Sequence, residues 1–438
     1  MKRMKPMDNR SRPRSYLSPS MLYLSTSAIQ TLADTILFTV MTVYFIQRVG
    51  LNPLQLVLVG TVLEGTVLLF EVPTGVIADT FSRRFSITLG MFIVGCSFLL
   101  YGFIPTFWAV MVGQVIWGIG YTFTSGATQA WLADEIGAEN VGNIFIKSGQ
   151  VNRLVGLIAT AISVIIASLS LHLPLLVGGG LYLFISLVML LWMPETQFKP
   201  QALEPTLSGH LHGLAATFQT GLQIIRSSPV LLTLAIVEIF RGAASEGYDR
   251  LADAHLLQNF TFPTLGNFQP VVWFGVIHIF GGIGSFIVTA FLRPRLEQLT
   301  ASVQRSARAL MILHGASITL VIGFAASGNF YLAALCMLLR GILEGLIGPL
   351  FDTWLVNNIE SRVRATVISM VGQANAFGQI AGGPGVGAIG KAFSLRSAIL
   401  ATSLLSAPVL YLYRRFSRQA PEPHLLKSGV VSLDEHRA

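Results

Sequence analysis

Long apolar stretches follow one another along almost the whole of this 438-residue chain, separated by short polar breaks. Hydrophobic residues make up 53% of the sequence and charged residues 11%, against roughly 25% charged residues in soluble domains. A water-soluble fold would have too few polar side chains to cover its apolar surface. A soluble domain, a disordered chain and a nucleic-acid-binding protein are therefore excluded, the last despite a net charge of +8. We expect a multi-pass protein of the plasma or inner cell membrane.

Twelve of these stretches are long enough to cross about 30 Å of hydrocarbon as α-helices. Helices are favoured because lipid offers no partner for unpaired backbone groups, and the alternating strand pattern of a barrel is absent from the sequence. The first stretch follows six basic residues but no cleavage-site pattern, so we interpret it as a retained helix. The predicted spans are residues 21–47, 54–78, 85–104, 106–132, 144–170, 173–193, 229–257, 269–292, 307–327, 329–357, 364–390 and 395–415.

The distribution of lysine and arginine predicts the orientation of these spans. Most of the 29 basic residues are cytoplasmic if both termini lie inside the cell, and only Arg48, Arg250, Lys391 and Arg396 are then extracellular. The longest break, at the midpoint, divides the spans six and six and is predicted to carry an amphipathic surface helix. The predicted domains are a basic N-tail (1–20), a six-helix bundle (21–193), a cytoplasmic linker (194–228), a second six-helix bundle (229–415) and a C-tail (416–438).

An internal repeat supports the division into two halves. A shift of 223 residues, as from Gly118 to Gly341, aligns identical residues of the fourth and fifth spans with the tenth and eleventh. The matched pairs are Gly118 with Gly341, Ile119 with Ile342, Trp131 with Trp354, Leu132 with Leu355, Ile136 with Ile359, Gly149 with Gly372, Gln150 with Gln373 and Asn152 with Asn375. An offset of six spans makes the repeat parallel. Parallel six-helix halves with a site between them are typical of secondary transporters.

The break after the second span carries a cluster of glycine and charged residues, Gly75, Asp79, Arg83 and Arg84. Gly75 and Asp79 are four residues apart and share a helix face, where the glycine permits another helix to approach closely. Asp79 ends its helix, where the helix dipole disfavours an anion, so a partner is required. The predicted partners are Arg83, Arg84 or the start of the eleventh span near Ala365. Such a contact would latch the two halves together at the cytoplasmic side.

These residues resemble the signature of the major facilitator superfamily, Gly-x-x-x-Asp-Arg-x-Gly-Arg-Arg, with Thr80 and Ser82 in place of its arginine and glycine. Together with the spans and the repeat, the resemblance covers essentially the whole chain. It implies an all-α membrane protein of two pseudo-symmetric six-helix bundles that works by alternating access. The chain also resembles bacterial drug–proton antiporters in part. Gln114 stands where their fourth span has an arginine, and their glycine-proline run of the fifth span has a relative only at residues 378–387.

Charged residues within the spans are the candidate proton- and substrate-binding residues, because each costs roughly 2.5–3.5 kcal/mol at mid-membrane. The candidates are the acids Asp34, Glu64, Glu71, Glu238 and Glu344 and the bases Arg153, Arg241 and Arg340, and Asp352 is a sixth acid within the spans. Helical spacing predicts two ion pairs, Glu238 with Arg241 and Arg340 with Glu344. At least two acids are then left without a basic partner, and this surplus predicts a cationic cargo.

Asp34 is the first candidate for the proton site and Glu64 the second, whereas Glu71 lies beside the signature and is as consistent with a structural role. Arg153 is predicted to pair with one of these three acids. The alternative is that the acids hydrogen-bond to neighbouring helices and only stabilise packing. Aromatic residues predicted near the cavity are Tyr44, Phe45, Trp117, Tyr121, Phe123, Tyr248 and Trp273.

The sequence contains no Walker motif and no catalytic constellation, so neither an enzyme activity nor a cofactor is predicted. His210 and His212 are interpreted as solvated rather than as metal ligands. The predicted function is proton-coupled efflux of amphipathic or cationic small molecules, as in multidrug resistance, with substrate, protons and lipid as partners of a monomer. The alternatives are an uptake or facilitative carrier for a polar metabolite, favoured by Gln114, Gln150, Asn152, Gln373 and Asn375, and a transporter-like sensor.

Overall fold

The computed structural model describes residues 17–199, 219, 221–264, 271–300, 302–359 and 363–418. Within these ranges the secondary structure is helical and contains no strand. Nearly all of the predicted N-tail and C-tail, and most of the linker with its predicted amphipathic helix, lie outside the described residues.

The predicted spans agree closely with the helices. In chain order these are α1 Pro19–Tyr44, α2 Pro53–Thr80, α3 Arg83–Phe103, α4 Phe107–Thr124, α5 Ala127–Ile136, α6 Ala138–Leu169, α7 Leu173–Trp192, α8 Gly221–Ser227, α9 Pro229–Asn259, α10 Val271–Leu299, α11 Val303–Ala326, α12 Phe330–Asn357, α13 Arg364–Ala392 and α14 Leu395–Arg418. The π-helical segment Phe45–Val49 continues α1. The first three spans are α1 to α3, the fourth is α4 with α5, the fifth and sixth are α6 and α7, and the last six are α9 to α14.

Polar residues in the breaks end one helix and begin the next. Asn52 and Gln55 form a capping box at the start of α2, with Asn52 Oδ1 accepting from Gln55 N at 3.1 Å and Gln55 Oε1 from Asn52 N at 3.0 Å. Pro53 at the first helical position adds to this start signal. Ser82 caps α3 in the same way, its hydroxyl accepting from Phe85 N at 3.0 Å. The helix starts therefore follow from local sequence.

The fourth span is broken where the sequence predicts one continuous helix. Gly126 has φ +70°, in the left-handed region that favours glycine, and the chain turns there between α4 and α5. The preceding Ser125 donates its hydroxyl to Glu71 Oε1 of α2 at 2.9 Å, which fixes the end of α4 against the neighbouring helix.

Ten helical segments of the described chain are long and apolar enough to cross a membrane, and α9 with the short α8, bent by 108°, provides an eleventh. The twelfth, α13, has 29 residues but is more polar, because it contains Gln373, Asn375 and Gln379. It packs against α9 and α2, so neighbouring helices shield these amides from lipid. These lengths, together with the fold described here, are those of a multi-pass membrane protein.

The internal repeat is visible as equivalent contacts in the two halves. In the first half Asn152 of α6 donates to Ser27 of α1 at 2.9 Å. In the second half Asn375 of α13, its repeat equivalent, donates to Glu238 of α9 at 2.6 Å. Helices α6 and α13 thus pack on the first helix of their own half through the same position of the repeat.

The buried apolar core of the described residues joins the two halves at one end. We name the ends by the predicted orientation, in which α2 runs from the extracellular side at Pro53 to the cytoplasmic side at Thr80. One cluster of buried apolar residues continues from the first half into the second near the extracellular ends, through Val57, Leu251 and Phe274. A second cluster, around Leu234 and Trp354 at the cytoplasmic ends, is confined to the second half. The core therefore closes the end that the predicted orientation makes extracellular, and in that orientation the structure faces inward.

Helices α9 and α13 approach each other closely through two glycines. A Cβ atom added to Gly242 would lie 2.0 Å from the backbone oxygen of Asn375, and one added to Gly378 would lie 2.0 Å from that of Ile239. Backbone atoms cannot rotate away as a flexible side chain can. Both positions therefore require glycine for this packing.

We expect Gly378→Ala to destabilise the protein by about 1–3 kcal/mol, the usual range for overpacking. Gly385→Ala on the same helix is the matched control, because nothing lies within 4 Å of its added Cβ atom. Melting of the detergent-purified proteins measures the difference. Equal melting temperatures for the two variants would contradict the packing argument.

Candidate transport site

A cavity of about 580 Å³ lies between the first half and α13 of the second. Its lining residues are Leu63, Glu64, Val67, Leu68, Glu71, Trp117, Tyr121, Ser125, Ser369, Gly372, Gln373 and Ala376. They belong to the middle and cytoplasmic part of α2, the cytoplasmic part of α4 and the cytoplasmic part of α13. The cavity thus lies beneath the extracellular closure, at the interface where access can alternate.

Two predicted site residues, Glu64 and Glu71, share this cavity because they are seven residues apart on α2, two turns along one face. Glu71 accepts a hydrogen bond from Ser125 at 2.9 Å. Glu64 interacts electrostatically with Glu246 and Arg250 of α9. The lining contains two carboxyl groups and no lysine, arginine or histidine. Its electrostatic potential therefore favours a positively charged occupant.

Aromatic rings form the wall of the cavity opposite α2. Trp117 stacks on Phe38 with a centroid distance of 5.5 Å and contacts Phe98 at 5.2 Å, which fixes its ring. Tyr121 is 48% exposed, so its ring is open to the cavity that it lines. By contrast Tyr44, predicted near the cavity, is fully buried, and its hydroxyl donates to the backbone oxygen of Tyr101 at 2.5 Å.

Asp34, the first candidate in the sequence, lies apart from this cavity lining. Its carboxylate accepts a hydrogen bond from the hydroxyl of Tyr182 on α7, within the first half. Tyr182 in turn packs against Phe98, with ring centroids 5.9 Å apart. This contact supports the packing alternative for Asp34, and its predicted role as proton site stays a prediction.

Glu238 and Arg241 form the ion pair that their spacing predicts, on α9. The second carboxylate oxygen of Glu238 accepts from Asn375 at 2.6 Å, and Gln379 donates to the Asn375 side-chain oxygen at 2.8 Å. The guanidinium of Arg241 lies 5.3 Å from the ring centroid of Phe351. Since every charge here has a partner, this group links α9 to α13 and α12.

Arg340 lies between two carboxylates rather than pairing with Glu344 alone. Its guanidinium nitrogens are 3.9 Å from Glu344 and 3.8 Å from Asp249, and the group stacks over Tyr248 at 3.7 Å from the ring centroid. Glu344 also accepts from Ser317 at 3.0 Å. A small cavity of about 60 Å³ adjoins Arg340 and Glu344 inside the second half.

Arg153 does not form the ion pair predicted for it among the contacts of the described residues. Its side chain is exposed on α6, and its guanidinium lies 5.6 Å from the ring centroid of Phe286 on α10. The contact joins α6 of one half to α10 of the other. A cation–π interaction across the halves therefore replaces the expected pairing with Asp34, Glu64 or Glu71.

The signature residues form contacts within the first half. Arg83 lies 3.6 Å from Asp79 and 2.6 Å from Asp134 of α5, so one of the predicted partners of Asp79 is found. Nothing lies within 4 Å of a Cβ atom added to Gly75, so the close helix approach expected there is absent from this inward-facing structure. The latch between the halves stays a prediction for the outward-facing state.

Arg84 fixes the beginning of the linker instead. Its backbone nitrogen donates to Glu195 at 3.1 Å, and its side chain donates to the backbone oxygen of Leu190. Ser82 donates to the other oxygen of Glu195 at 2.7 Å. The signature thus holds the segment after α7 against the first half.

A row of charged residues on α9 was not among the predicted site residues. Glu246, Asp249 and Asp253 are spaced by three and four residues, a pattern that marks one helix face. Arg250, expected on the extracellular side, lies toward that end of α9 and pairs with Glu246 at 3.0 Å. The spacing of the three acids is the sequence signal that could have identified this charged helix face. Among the described residues no group of three or more His, Cys, Asp or Glu is arranged to hold a metal ion.

The sequence has relatives among known transporters. A family model described as Major Facilitator Superfamily matches residues 23–383. The uncharacterized MFS-type transporter YxaM of Bacillus subtilis (strain 168) is 25% identical over 396 residues, which cover 89% of this chain and 94% of YxaM.

Solved structures share the fold at lower identity. The nucleoside transporter NupG is 16% identical, with a TM-score of 0.72 and coverage of 92% of this chain and 100% of NupG. An inward-facing, unoccupied bacterial homolog of the human lysosomal transporter Spinster is 15% identical, with a TM-score of 0.69 and coverage of 92% and 98%. The POT family transporter PepTSo is 10% identical, with a TM-score of 0.70 and the same coverage. The family model spans most of the helical bundle described above, and the chain therefore belongs to the Major Facilitator Superfamily as a multi-pass membrane transporter.

Proposed function

We propose that this transporter carries organic cations that combine a positive charge with an aromatic or apolar part, and that it exports them in exchange for protons. The observation that carries this proposal is the 580 Å³ cavity, which has two carboxyl groups, two aromatic rings and no basic side chain in its lining. A cavity of this size is within the range of small-molecule sites.

The two carboxyl groups that α2 contributes to the cavity differ in their surroundings. Glu71 is held by Ser125 at 2.9 Å, so its charge has a fixed position. Glu64 lies two turns deeper, toward the closed extracellular side. A cargo can place its positive group at either carboxylate and its ring against Trp117 or Tyr121, where cation–π contacts contribute about 0.5–2 kcal/mol.

Proton coupling follows from competition for the same carboxyl groups. A carboxyl group in a membrane cavity can bind either a proton or a cationic cargo, but its negative charge is available to only one of them. Exchange of the two across the membrane is antiport. A proton that moves down 100 mV supplies about 2.3 kcal/mol for this exchange.

A carrier for a polar, uncharged metabolite is the second candidate. Gln373, Ser125 and Ser369 line the same cavity and offer hydrogen bonds of the kind that such a substrate needs. NupG, a nucleoside transporter, has the same fold. A nucleoside would use these amide and hydroxyl groups and would depend less on the charge of Glu64 and Glu71.

We expect Glu64→Gln and Glu71→Gln each to reduce proton-gradient-driven ethidium transport in proteoliposomes at least about tenfold, the factor for loss of one charged contact of 1.4 kcal/mol. Asp352→Asn is the matched control, because this acid is exposed on α12 and outside the cavity lining. Uridine serves as the uncharged probe. Uridine transport that survives both substitutions, with no ethidium transport by the wild type, would support the metabolite carrier instead.

Tyr121→Leu is expected to raise the KM for ethidium about two- to thirtyfold, because it removes the cation–π face while keeping an apolar side chain. Tyr121→Phe retains the ring and is the control, with KM near that of the wild type. Equal KM values for the two variants would show that the ring of Tyr121 does not contact the cargo.

For the latch, we expect Asp79→Asn to slow turnover about two- to fivefold, the effect of 0.3–1 kcal/mol at a helix terminus. Ethidium binding should be nearly unchanged, since Asp79 lies outside the cavity lining. Binding to the detergent-solubilised protein and transport in proteoliposomes separate the two effects. Lost binding with normal expression would contradict the latch.

A further inference from the structure

A buried ion pair of the second half is packed against a glycine of the first half. Glu246 Oε1 and Arg250 Nε on α9 are 3.0 Å apart, and the Glu246 side chain is 4% exposed. A Cβ atom added to Gly60 of α2 would lie 1.7 Å from Glu246 Oε1 and 2.6 Å from Arg250 Nε. The pair therefore occupies the space that only glycine leaves on α2.

Helix α13 encloses the pair from the other side. A Cβ atom added to Gly383 would lie 2.9 Å from Glu246 Cγ and 3.0 Å from Val57 Cγ1, and one added to Gly387 would lie 3.1 Å from Val57 Cβ. Helices α2, α9 and α13 thus meet around Glu246 at the closed extracellular side. We call this contact the extracellular seal.

A third charge lies directly below the seal. Glu64 follows Gly60 by one helical turn, lines the 580 Å³ cavity and interacts electrostatically with both Glu246 and Arg250. Asp249 on α9 also interacts with Glu246 and Arg250, but it lies 3.8 Å from Arg340, which offsets its charge. Tyr101 on α3 is a neighbouring titratable group and is uncharged as a phenol. Between Arg364 and Lys391 the sequence of α13 contains no charged residue.

The charges of these three residues do not balance. Two carboxylates and one guanidinium give a net charge of −1 when all are ionised, and an uncompensated buried charge is costly. Glu64 and Glu246 belong to opposite halves, so their repulsion acts directly across the seal. One added positive charge would remove it.

We propose that Glu64, Glu246 and Arg250 form a binding site for one proton, whose occupation holds the extracellular seal closed until the proton leaves on the cytoplasmic side. When the site is empty, repulsion between Glu64 and Glu246 weakens the contact of α2 with α9. This inference rests on the proposed function, in which the cavity favours positive charge. It adds the step by which the bound charge controls access from the extracellular side.

The test measures opening of the seal rather than transport. Cys96→Ser and Cys336→Ser remove the native thiols, and Val57→Cys places a reporter in the seal, where Val57 is fully buried. The rate at which a membrane-impermeant maleimide added outside alkylates this cysteine reports the outward-open fraction. The reporter protein is reconstituted in liposomes and measured with its outer face exposed.

Substitutions that change the charge should move this rate in opposite directions. Arg250→Gln, with net charge −2, is expected to raise it about fivefold or more, within the usual range of coupling between sites. Glu64→Gln, with net charge 0, should lower it, and the double variant should return to the reporter rate. Asp352→Asn is the control. A purely structural ion pair predicts no effect of Glu64→Gln, and that result would overturn the proposal even if Arg250→Gln fails to fold.

Two further arms identify the occupant. Lowering the pH from 8 to 6 without organic cation should slow alkylation, because a proton then fills the site, and this effect must disappear in Glu64→Gln. Ethidium at pH 8 should not slow alkylation, because a cargo that held the seal closed could not be exported. If the pH does not change the rate, the site does not exist.

The same measurements separate this inference from the proposed function. If alkylation depends on pH through Glu64 but ethidium is not transported, the charge site is supported and the proposed cargo is contradicted. If ethidium is transported but Glu64→Gln does not change the alkylation rate, the proposed cargo is supported and the charge site is contradicted.

Discussion

The cost of placing a charged side chain in hydrocarbon determines much of this structure. Glu238 is paired with Arg241 and Glu246 with Arg250 on the same helix, so α9 carries its charges into the bundle largely compensated. Helix α13 is too polar to face lipid and packs between α9 and α2. The charged and polar helices are thus central, and the cavity forms where they meet.

Small residues then decide which end of the bundle is closed. Gly60 and Gly383 admit the Glu246 side chain at the extracellular end, where any larger residue would hold the helices apart. Gly75, Gly149 and Gly372, toward the cytoplasmic end, have no atom within 4 Å of an added Cβ atom. Glycines that permit close helix packing are therefore present at both the extracellular and the cytoplasmic ends of the bundle. In this inward-facing structure only the glycines named at the extracellular end are in close contact. Closure at the other end in the outward-facing state would use the rest, as alternating access requires.

The two halves share a backbone plan but differ in chemistry. Asn152 and Asn375 occupy equivalent positions and bind the first helix of their own half, yet Asn152 meets a serine hydroxyl and Asn375 meets the Glu238 carboxylate. In the second half the acids Glu238 and Glu246 have basic partners. In the first half Glu64 and Glu71 line a cavity that contains no basic residue. The asymmetry places the carboxyl groups of the proposed cation site in the cavity on one half, and Arg250 of the proposed moving contact on the other.

The helices, their order and their parallel repeat were predictable from the residues alone, because apolar length, capping residues such as Asn52 and matched positions such as Trp131 and Trp354 are local or periodic signals. Pairing within one helix, as between Glu238 and Arg241, was predictable for the same reason. That Glu64 and Glu71 share a cavity while Asp34 bonds to Tyr182 depends instead on how the helices pack. This packing also places Arg250 within the bundle against Gly60. Contacts of this kind join helices that are far apart in the chain. Which residues meet depends on the side-chain volumes where two helices cross, and the pattern along a single helix does not specify this.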